Sequence, residues 1–385
     1  MTAIAFRGKA VIGTHAEPST VVVEDGIITS ISRELVSTGN LPSTVVEASL
    51  FSPGLIDLQV NGGWGVEVTP NPADIDHISR KSLTTGVTAW LPTVVTSAAA
   101  SYPPFFAAWG QHDAGAGAVP QGYHLEGPFI TIEKKGAHNP DFIAAASEDL
   151  FQSWLQQDSI ALVTLAPDRD DATRRIRELV ARGILVSMGH TNATYEQFVA
   201  GIDAGARKAT HLFNAMTSIH HRAPGAMVAT MVDDRVTAGL IPDGVHSHPA
   251  TVRLAIRTKG FDGIVIVSDM MAACGMGPGT YPLGSKTVIV DDESARLEDG
   301  TLAGSILTMD QALRNLVNWS ECATAEAIHM MTAVPARLLS DASRGRLVLG
   351  ARADIAVWDD ALQPVATMVG GELRWQADDH KPPRW

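Results

Sequence analysis

The stretch ILVSMGH, residues 184–190, is an apolar run typical of a buried strand, and it ends in a histidine. Three further segments have the same form: GYHLEG at 122–127, ATHLF at 209–213 and IVIVSD at 264–269. The ionisable residues at or near these strand ends are Glu126, His190, His211 and Asp269. A barrel of parallel strands gathers its strand ends on one face, where chemistry takes place. The sequence therefore predicts that these four side chains converge.

Apolar runs alternate with amphipathic segments between Pro53 and about Leu339. Segment 171–183, DATRRIRELVARG, is typical of the intervening helices, because Ile176, Leu179 and Val180 are expected to share one face and arginines to cover the other. Eight strands joined by helical crossovers predict an α/β protein with a (β/α)8 TIM barrel. The eight strand candidates are GLIDLQV (54–60), VTAWLPTVV (87–95), VPQGYHLEG (119–127), IALVTLAP (160–167), GILVSMGH (183–190), KATHLFN (208–214), RVTAGLIPD (235–243) and GIVIVSD (263–269).

Both ends of the chain have a different, β-rich character. VVVEDGIITSIS at 21–32 alternates and contains an Asp-Gly turn signal, and short strand-like runs return after residue 340. We therefore predict a small β-sandwich domain built from residues 1–52 and 340–385, beside a catalytic barrel over residues 53–339. Segment 287–300, TVIVDDESARLEDG, is expected to form a hairpin inserted after the eighth strand, near the active face.

Composition limits the classes of partner. The chain has 385 residues and a formal net charge of −13, which disfavours nucleic acid or an anionic membrane as a partner. A small anionic substrate stays possible, because one well-placed arginine can override the overall field locally. Cys274 and Cys322 are far apart, so a reducing compartment fits better than a disulfide framework. With no signal-peptide pattern and no apolar run of ~18 residues, we expect a cytoplasmic protein.

The strand-end residues are interpreted as a metal site. Singly, each has an ordinary explanation: Glu126 as a surface carboxylate, His190 or His211 as a hydrogen-bonded structural histidine. Together they supply two imidazoles and one carboxylate with an open position for water, as catalytic zinc requires. Iron(II) or another divalent ion also fits this ligand set. Asp269 has a structural alternative as a loop cap, whereas beside an activated water it would be a general base.

The first strand ends in Gln59-Val60-Asn61, and this detail predicts the number of metal ions. The period of two in a strand directs residues 59 and 61 to the same side. Many two-metal barrel hydrolases have histidine at both positions, whereas glutamine and asparagine are poor zinc ligands. We therefore predict one divalent metal per subunit, with Gln59 and Asn61 near it but not primary ligands.

Motifs along most of the chain resemble one known family. The segments are GLIDLQVNG (54–62), GVTAWLPT (86–93), HLEGPFI (124–130), KKGAHNP (134–140), MGHTNAT (188–194), THLFNAM (210–216), HHRAPG (220–225), PDGVHS (242–247), SDMMAACG (268–275) and LAGSILTMDQALRNLV (302–317). In this order they resemble the N-acetylglucosamine-6-phosphate deacetylases of the amidohydrolase superfamily, from about residue 45 to 358. HLEGPF, THLFNAM and LAGS together are the specific part of this likeness.

The resemblance implies a role for particular residues. It implies that Glu126, His190 and His211 bind the metal and that Asp269 is the catalytic aspartate. It also implies substrate contacts by His138, by Asn214, Ala215, Arg222 and His246 around the sugar phosphate, and by Ala303 and Gly304 near the acetyl group. Without the resemblance, Arg222 could equally be an exposed loop arginine, and His246 could be a histidine that stabilises its loop. No role is assigned to His220, His221 or His248. A homodimer, in which a second subunit helps to bind phosphate, is implied by the resemblance alone.

The implied reaction is hydrolysis of N-acetyl-D-glucosamine 6-phosphate to D-glucosamine 6-phosphate and acetate. N-Acetylgalactosamine 6-phosphate stays open as the substrate, because the two sugars differ only at C4. Another amidohydrolase reaction on an N-acyl small molecule, such as that of a cyclic amidohydrolase or an aminoacylase, is a further alternative, although the phosphate-binding residues argue against it. The remaining alternative is a non-enzymatic amino-sugar sensor, against which the complete ligand set and Asp269 argue.

Overall fold

The computed structural model describes residues 3–113, 115, 117–320 and 322–378. Its strands in chain order are β1 (Ala3–Ile12), β2 (His15–Glu24), β3 (Ile27–Ser32), β4 (Thr44–Pro53), β5 (Leu55–Val60), β6 (Gly62–Gly63), β7 (Val66–Glu67), β8 (Val87–Val95), β9 (Val119–Pro120), β10 (Tyr123–Glu126), β11 (Ile160–Leu165), β12 (Leu185–Met188), β13 (Lys208–Ala209), β14 (Thr237–Leu240), β15 (Ile264–Ile266), β16 (Gly279–Leu283), β17 (Lys286–Val290), β18 (Ala295–Arg296), β19 (Ile355–Trp358), β20 (Pro364–Val369) and β21 (Glu372–Gln376).

The helices of the described residues alternate with the strands from β5 onward. They are α1 (Pro72–Ser82), α2 (Tyr102–Ala108), α3 (Pro140–Ala144), α4 (Glu148–Trp154), α5 (Ala172–Ala181), α6 (Tyr195–Asp203), α7 (Gly225–Val232), α8 (Pro249–Lys259), α9 (Met309–Trp319), α10 (Thr324–Met331) and α11 (Ala333–Leu338). Local sequence explains their limits. In α6, for example, Thr194 and Gln197 form a reciprocal capping box that satisfies backbone N–H groups at the first turn.

The predicted barrel is confirmed, and each of the eight strand candidates supplies one of its strands. The parallel order is β5-β8-β10-β11-β12-β13-β14-β15. The ring closes between the last and first strands, where Asp269 N–H donates to the Gln59 carbonyl at 3.0 Å and Asn61 N–H to that of Met270 at 2.8 Å. Helices cover the outer face, so the barrel strands are buried on both sides and appear in the sequence as nearly continuous apolar runs.

A second sheet joins the two ends of the chain. Its order is β21-β20-β19-β4-β1-β2-β3, so three strands after α11 extend the four strands that precede the barrel. Side chains from both groups of strands, including Phe6, Phe51, Ile355 and Met368, share one apolar core. This is the small β-domain expected from both termini. Its limits at 52/53 and 339/340 stay a prediction, and residues 379–385 of the predicted domain lie outside the described residues.

A third, smaller sheet follows the eighth barrel strand. The hairpin predicted at 287–300 is confirmed as β17 and β18, and β16 adds a third antiparallel strand that the sequence did not indicate. We call residues 279–296 the insert. Its apolar residues pack with Met271, Ala273 and Ala303, which lie outside the insert. The N–H of Gly284 at its tip donates to Glu67 Oε1 at 2.6 Å. The insert therefore folds over the barrel mouth as a small layer whose core is shared with the loop after the eighth strand.

None of the described helices has both the length and the apolar character that a membrane-crossing helix needs.

The packing of Trp358 of β19 on the barrel gives a stability prediction. Gly86 has φ +77°, and a Cβ there would lie 2.6 Å from the buried indole of Trp358. Gly183 has φ +76° with nothing within 4 Å of such a Cβ, so it is a matched control. We expect Gly183→Ala to lower the free energy of unfolding by about 1–2 kcal/mol through left-handed strain alone. Gly86→Ala should lose about 1–3 kcal/mol more, because the tryptophan must move.

Chemical denaturation with linear extrapolation measures both substitutions. An equal loss in the two variants would show that Trp358 does not constrain Gly86.

Candidate active site

The barrel strands end in sharp turns that present the predicted site residues. His190, His211 and Asp269 have φ values of +49°, +27° and +53°, which non-glycine residues adopt rarely. Each such conformation costs on the order of 1–3 kcal/mol and persists only where the surrounding structure enforces it. Strain at the ends of three barrel strands, all on one face, is consistent with a functional site.

Three predicted ligand atoms meet at one point above the barrel. Glu126 Oε1 lies 3.3 Å from Nε2 of His190 and 3.3 Å from Nε2 of His211. The two imidazole nitrogens are 3.0 Å apart, and all three residues are buried. Ligands at ~2.0–2.1 Å from a tetrahedral zinc ion are about 3.3 Å from one another. The residues present therefore fit a divalent metal.

A fourth residue, His138, lies at the edge of this group. With Glu126 and His190 it forms a group of side chains that could hold a metal ion. Its Nε2 is 3.9 Å from Glu126 Oε2, whereas Nε2 of His211 is 3.3 Å from Glu126 Oε1. Its Nδ1 accepts the backbone N–H of Thr96 at 3.3 Å, which places the ring proton of the neutral imidazole on Nε2. Burial and the neighbouring imidazole of His190 lower the pKa of His138 to about 3, so the ring is neutral. Nε2 of His138 is therefore a hydrogen-bond donor that faces the site.

The tautomer of His190 is the opposite one. Its Nδ1 lies 2.8 Å from the carbonyl oxygen of Lys134, to which only an N–H can donate. Nε2 of His190 therefore carries the lone pair that a metal ligand needs. These hydrogen bonds favour His190 as an imidazole ligand and His138 as a donor beside it.

Two amides hold the carboxylates of the site. Gln59 Nε2 donates to Glu126 Oε1 and to Asp269 Oδ1, both at 3.0 Å, and Asn61 Nδ2 donates to the same Asp269 oxygen at 2.7 Å. Burial, with the negative charge of Glu126, raises the pKa of Asp269 to about 7. The carboxyl group can therefore both accept and release a proton near neutral pH. Gln59 thus contacts both carboxylates, and Asn61 contacts that of Asp269, through N–H donors.

A cavity of about 350 Å³ opens above this group between the barrel and the insert. Among predicted substrate residues, its wall includes His138, Asn214, Ala215, His246 and Gly304. Ala303 packs beneath the wall in the core of the insert. Arg222 is exposed, pairs with His221 Nε2 at 2.7 Å, and is not part of the wall.

One histidine without an assigned role now has a structural one. His248 Nδ1 accepts the N–H of Ala250 at 3.1 Å and so caps the start of α8. His220 and His221 are exposed and stack on each other with ring centroids 4.5 Å apart, outside the cavity wall.

His246 enters the cavity already fixed by a carboxylate. Asp243 Oδ2 lies 2.6 Å from His246 Nδ1, and Asp243 Oδ1 accepts two backbone N–H groups, one of them that of His246 itself. Burial alone would lower the pKa of His246, but the hydrogen bond and charge of Asp243 outweigh it and raise the pKa. The structure therefore places in the cavity wall an imidazole that is protonated more readily than an ordinary histidine.

The sequence analysis did not single out Lys208, a buried lysine below the proposed metal ligands. Lys208 of β13 is fully buried, and its Nζ has no hydrogen-bond partner among the described residues. Gly239 makes room for it, because a Cβ there would lie 3.1 Å from that nitrogen. Burial lowers the pKa of Lys208 to about 8, although the nearby carboxylates, Glu126 first, favour the charged form. The sequence contained one indication of this buried charge, because the lysine stands within an otherwise apolar strand run.

A model of the amidohydrolase family matches residues 50–374. The chain belongs to the amidohydrolase family. N-acetylglucosamine-6-phosphate deacetylase of Homo sapiens is 39% identical over 350 residues, covering 86% of this chain and 84% of the relative. The family resemblance found in the motifs is therefore confirmed, as is the barrel fold.

Two other proteins extend the comparison with this amidohydrolase. A mutant of N-acetyl-D-glucosamine-6-phosphate deacetylase from Mycobacterium smegmatis, solved in complex with N-acetyl-D-glucosamine-6-phosphate, has 31% identity and a TM-score of 0.91; 97% of this chain and 100% of that chain are covered. N-acetylgalactosamine-6-phosphate deacetylase of Escherichia coli O157:H7 is 36% identical over 358 residues, 91% of this chain and 93% of the relative. Both galacto- and gluco-configured substrates thus appear among the relatives' names.

The charge on Lys208 predicts a gain in stability on its removal. The pKa is lower in the folded state, so the unfolded chain binds the proton more tightly, and the cost is fully present below pH 8. For metal-free protein at pH 7, we expect Lys208→Met to raise the free energy of unfolding by about 1–3 kcal/mol. The stability of the parent should approach that of the variant as pH rises above 8.

Lys259→Met is the matched control for this substitution. Lys259 is also largely buried, but its Nζ donates to the Asp233 carbonyl at 2.8 Å, so its removal leaves that acceptor without its donor. We expect no gain from it. A Lys208→Met variant that unfolds at lower denaturant than the parent would show that the ammonium group is stabilising.

Proposed function

We propose that this chain hydrolyses N-acetyl-D-glucosamine 6-phosphate to D-glucosamine 6-phosphate and acetate. The observation that carries the proposal is the convergence of Glu126, His190 and His211 beside Asp269, in a chain whose relatives are named for this reaction. The cavity has room for a monosaccharide and includes His246, a group suited to an anion.

The metal proposed for this site is one divalent ion per subunit, bound by Glu126, His190 and His211. Zinc suits two imidazoles and one carboxylate, and iron(II) or another divalent ion fits the same donors. Such an ion, when bound, acts as a Lewis acid towards the amide carbonyl and makes water a better nucleophile. Gln59 and Asn61 keep their N–H groups on Glu126 and Asp269, which supports a single ion rather than a pair.

Asp269 is proposed as the group that moves the proton. Both amide donors reach its Oδ1, which leaves Oδ2 for the substrate side. As the water oxygen bonds to the carbonyl carbon, Asp269 accepts one water proton. The same proton passes to the amide nitrogen as the C–N bond breaks, so that the sugar leaves as an amine. His138, through its Nε2–H, donates to the oxyanion that develops on the carbonyl oxygen.

The sugar phosphate is proposed to lie against His246, Asn214 and Ala215, which share the cavity wall. Gly304, with Ala303 behind it, is proposed to lie beside the acetyl group. Phosphate held at a distance from the reacting amide positions that amide, which can contribute to rate as well as to affinity. Arg222 is retained as a proposed phosphate contact in a homodimer, since its exposed guanidinium lies outside the cavity wall of its own chain.

Three further parts of the proposal rest on the family resemblance and the composition. The chain is proposed to be a cytoplasmic homodimer. It is proposed to divide into a small β-domain, residues 1–52 and 340–385, and a catalytic barrel, residues 53–339. Its partner is proposed to be a small amino-sugar phosphate.

N-Acetylgalactosamine 6-phosphate is the second candidate substrate. The relative from Escherichia coli O157:H7 carries that name at 36% identity, so the same site geometry is compatible with the C4 epimer. The ratio of kcat/KM for the two phosphorylated epimers decides between them.

Acetate release tests the proposed reaction directly. Metal-loaded protein is assayed with N-acetylglucosamine 6-phosphate, and unphosphorylated N-acetylglucosamine is the comparison substrate. Much faster release from the phosphorylated sugar than from the unphosphorylated one supports the proposal. No release from either sugar, in protein shown to contain metal, would favour another amide substrate or the non-enzymatic sensor.

Removal of the proposed proton carrier should abolish turnover. We expect Asp269→Asn to lower kcat by about 10²–10⁴-fold, because an amide cannot accept the water proton. Metal content, measured by elemental analysis, should stay near that of the parent. Asp57→Asn is the matched control. The buried Asp57 carboxyl group accepts the backbone N–H groups of Gln59 and Ser268 on Oδ1, and an asparagine side chain keeps such an acceptor oxygen.

The control should keep most of its activity. Near-parental turnover by Asp269→Asn would show that the base is another group.

The pair of Asp243 and His246 predicts a pH dependence of substrate binding. Protonated His246 binds phosphate best, so KM for the 6-phosphate should rise as pH rises through its raised pKa. In Asp243→Asn the pKa falls, and the same rise should begin at lower pH. In the pH range where the parent keeps His246 protonated and the variant does not, we expect KM of the variant to be about 10-fold above that of the parent, with a smaller change in kcat.

The pH profile of KM separates this effect from a loss of structure. The unphosphorylated sugar should show little difference between parent and variant. Identical KM profiles for the two proteins on the 6-phosphate would remove Asp243 from phosphate recognition.

A further inference from the structure

The insert brings a second arginine to the site, and this one lines the cavity. Arg296 of β18 belongs to the same wall as His246 and Asn214. Arg222, the arginine indicated by the family motifs, lies outside this wall. The cavity of this chain therefore has its own guanidinium, supplied by a different part of the fold.

The charges around the cavity mouth favour an anionic ligand. Apart from Glu126 and Asp269, the charged residues in the described part of the wall are Lys134, Lys286 and Arg296 against Glu133 alone. The whole chain has a formal net charge of −13, so the excess of cationic side chains at the cavity opening is opposite in sign to the charge of the whole chain. Such local fields concentrate anions where the global field would repel them.

The guanidinium of Arg296 is held in place by its own element. Nε donates to Ser294 Oγ at 3.1 Å, and Nη1 donates to the carbonyl of Gly300 at 2.9 Å. Ser294 is itself fixed, because its N–H donates to Asp291 Oδ1 at 2.7 Å. Nη2 has no hydrogen bond to any described residue, so donors of the planar fork stay available for a ligand. A guanidinium fixed in advance loses less side-chain entropy when it binds an oxyanion.

Arg296 and His246 lie close enough to influence each other. The positive charge of Arg296 opposes protonation of His246, whereas Asp243 and Asp269 favour it. Two cations that repel each other across a cavity are both satisfied by a dianion placed between them. A phosphate monoester supplies that charge and enough acceptor oxygens for both groups.

We propose that Arg296 binds the 6-phosphate of the substrate together with His246 of the same chain. This proposal rests on the proposed deacetylation and assigns a recognition role to the insert. The insert then selects phosphorylated over unphosphorylated amino sugars, while the barrel carries out the hydrolysis.

Substitution of Arg296 tests this assignment. Arg296→Met keeps the length and apolar part of the side chain, and Arg296→Lys keeps the charge without the fork. Arg182→Met is the control, because Arg182 is an exposed arginine that pairs with Asp158 at 3.2 Å and lies outside the cavity wall. Steady-state kinetics are measured on N-acetylglucosamine 6-phosphate and on N-acetylglucosamine, and inorganic phosphate is used as a competitive inhibitor.

We expect Arg296→Met to lower kcat/KM on the 6-phosphate about 10- to 100-fold, mainly through KM, and to weaken phosphate inhibition by a similar factor. Arg296→Lys should lose less than Arg296→Met on the 6-phosphate. On the unphosphorylated sugar both variants should stay within about twofold of the parent, as Arg182→Met should on both substrates. Equal losses on the two sugars would indicate that Arg296 supports only the structure of the insert, and an unchanged KM would overturn the assignment.

The outcome is distinguishable from failure of the proposed reaction. If the parent releases acetate from neither sugar, the deacetylation is wrong, and calorimetric titration with inorganic phosphate still tests the site. Weaker phosphate binding by Arg296→Met than by the parent would then support the anion site, and equal binding would overturn it.

Discussion

The hydrogen bond between Asp269 N–H and the Gln59 carbonyl closes the barrel, and the arrangement of the active site depends on this closure. It joins the last strand to the first, at residues whose side chains both belong to the site. Once the strands are in register, the Gln59 amide reaches Asp269 on one side and Glu126 on the other. Residues separated by more than 200 positions are thereby placed within one hydrogen-bond network.

Burial of so many ionisable groups requires compensation. Glu126 and Asp269 share the Gln59 amide donor. His124 below them is held between the hydroxyl groups of Thr93 and Thr164 at 3.2 and 2.8 Å. Lys208 is the exception, with no hydrogen-bond partner among the described residues but three carboxylates within electrostatic range. Such a polar barrel interior is less stable than an apolar one, and it is retained where it sets the charge state of the groups above it.

Much of this structure was predictable from the sequence, for a physical reason. Parallel strands buried on both faces appear as continuous apolar runs, and barrel topology then places the residue that ends each run on one face, so Glu126, His190, His211 and Asp269 were readily found. The orientation of His138 was not predictable, because it depends on a backbone N–H, that of Thr96, distant in sequence. Arg296 was missed since short antiparallel strands give weak patterns, and the position of Arg222 outside the wall depends on loop geometry that no periodicity encodes.

The apolar core of the insert is distinct from the main barrel core, but it includes Met271 and Ala273, which follow Asp269 in the chain. The hydrolytic site and the proposed phosphate site are therefore built on neighbouring parts of the fold that meet at these residues and at the contact of Gly284 with Glu67. Substitutions at exposed positions of the insert leave this shared core in place. Divergence towards sugars with other anionic groups would then proceed by changes at such exposed positions, while the hydrolytic chemistry is inherited intact.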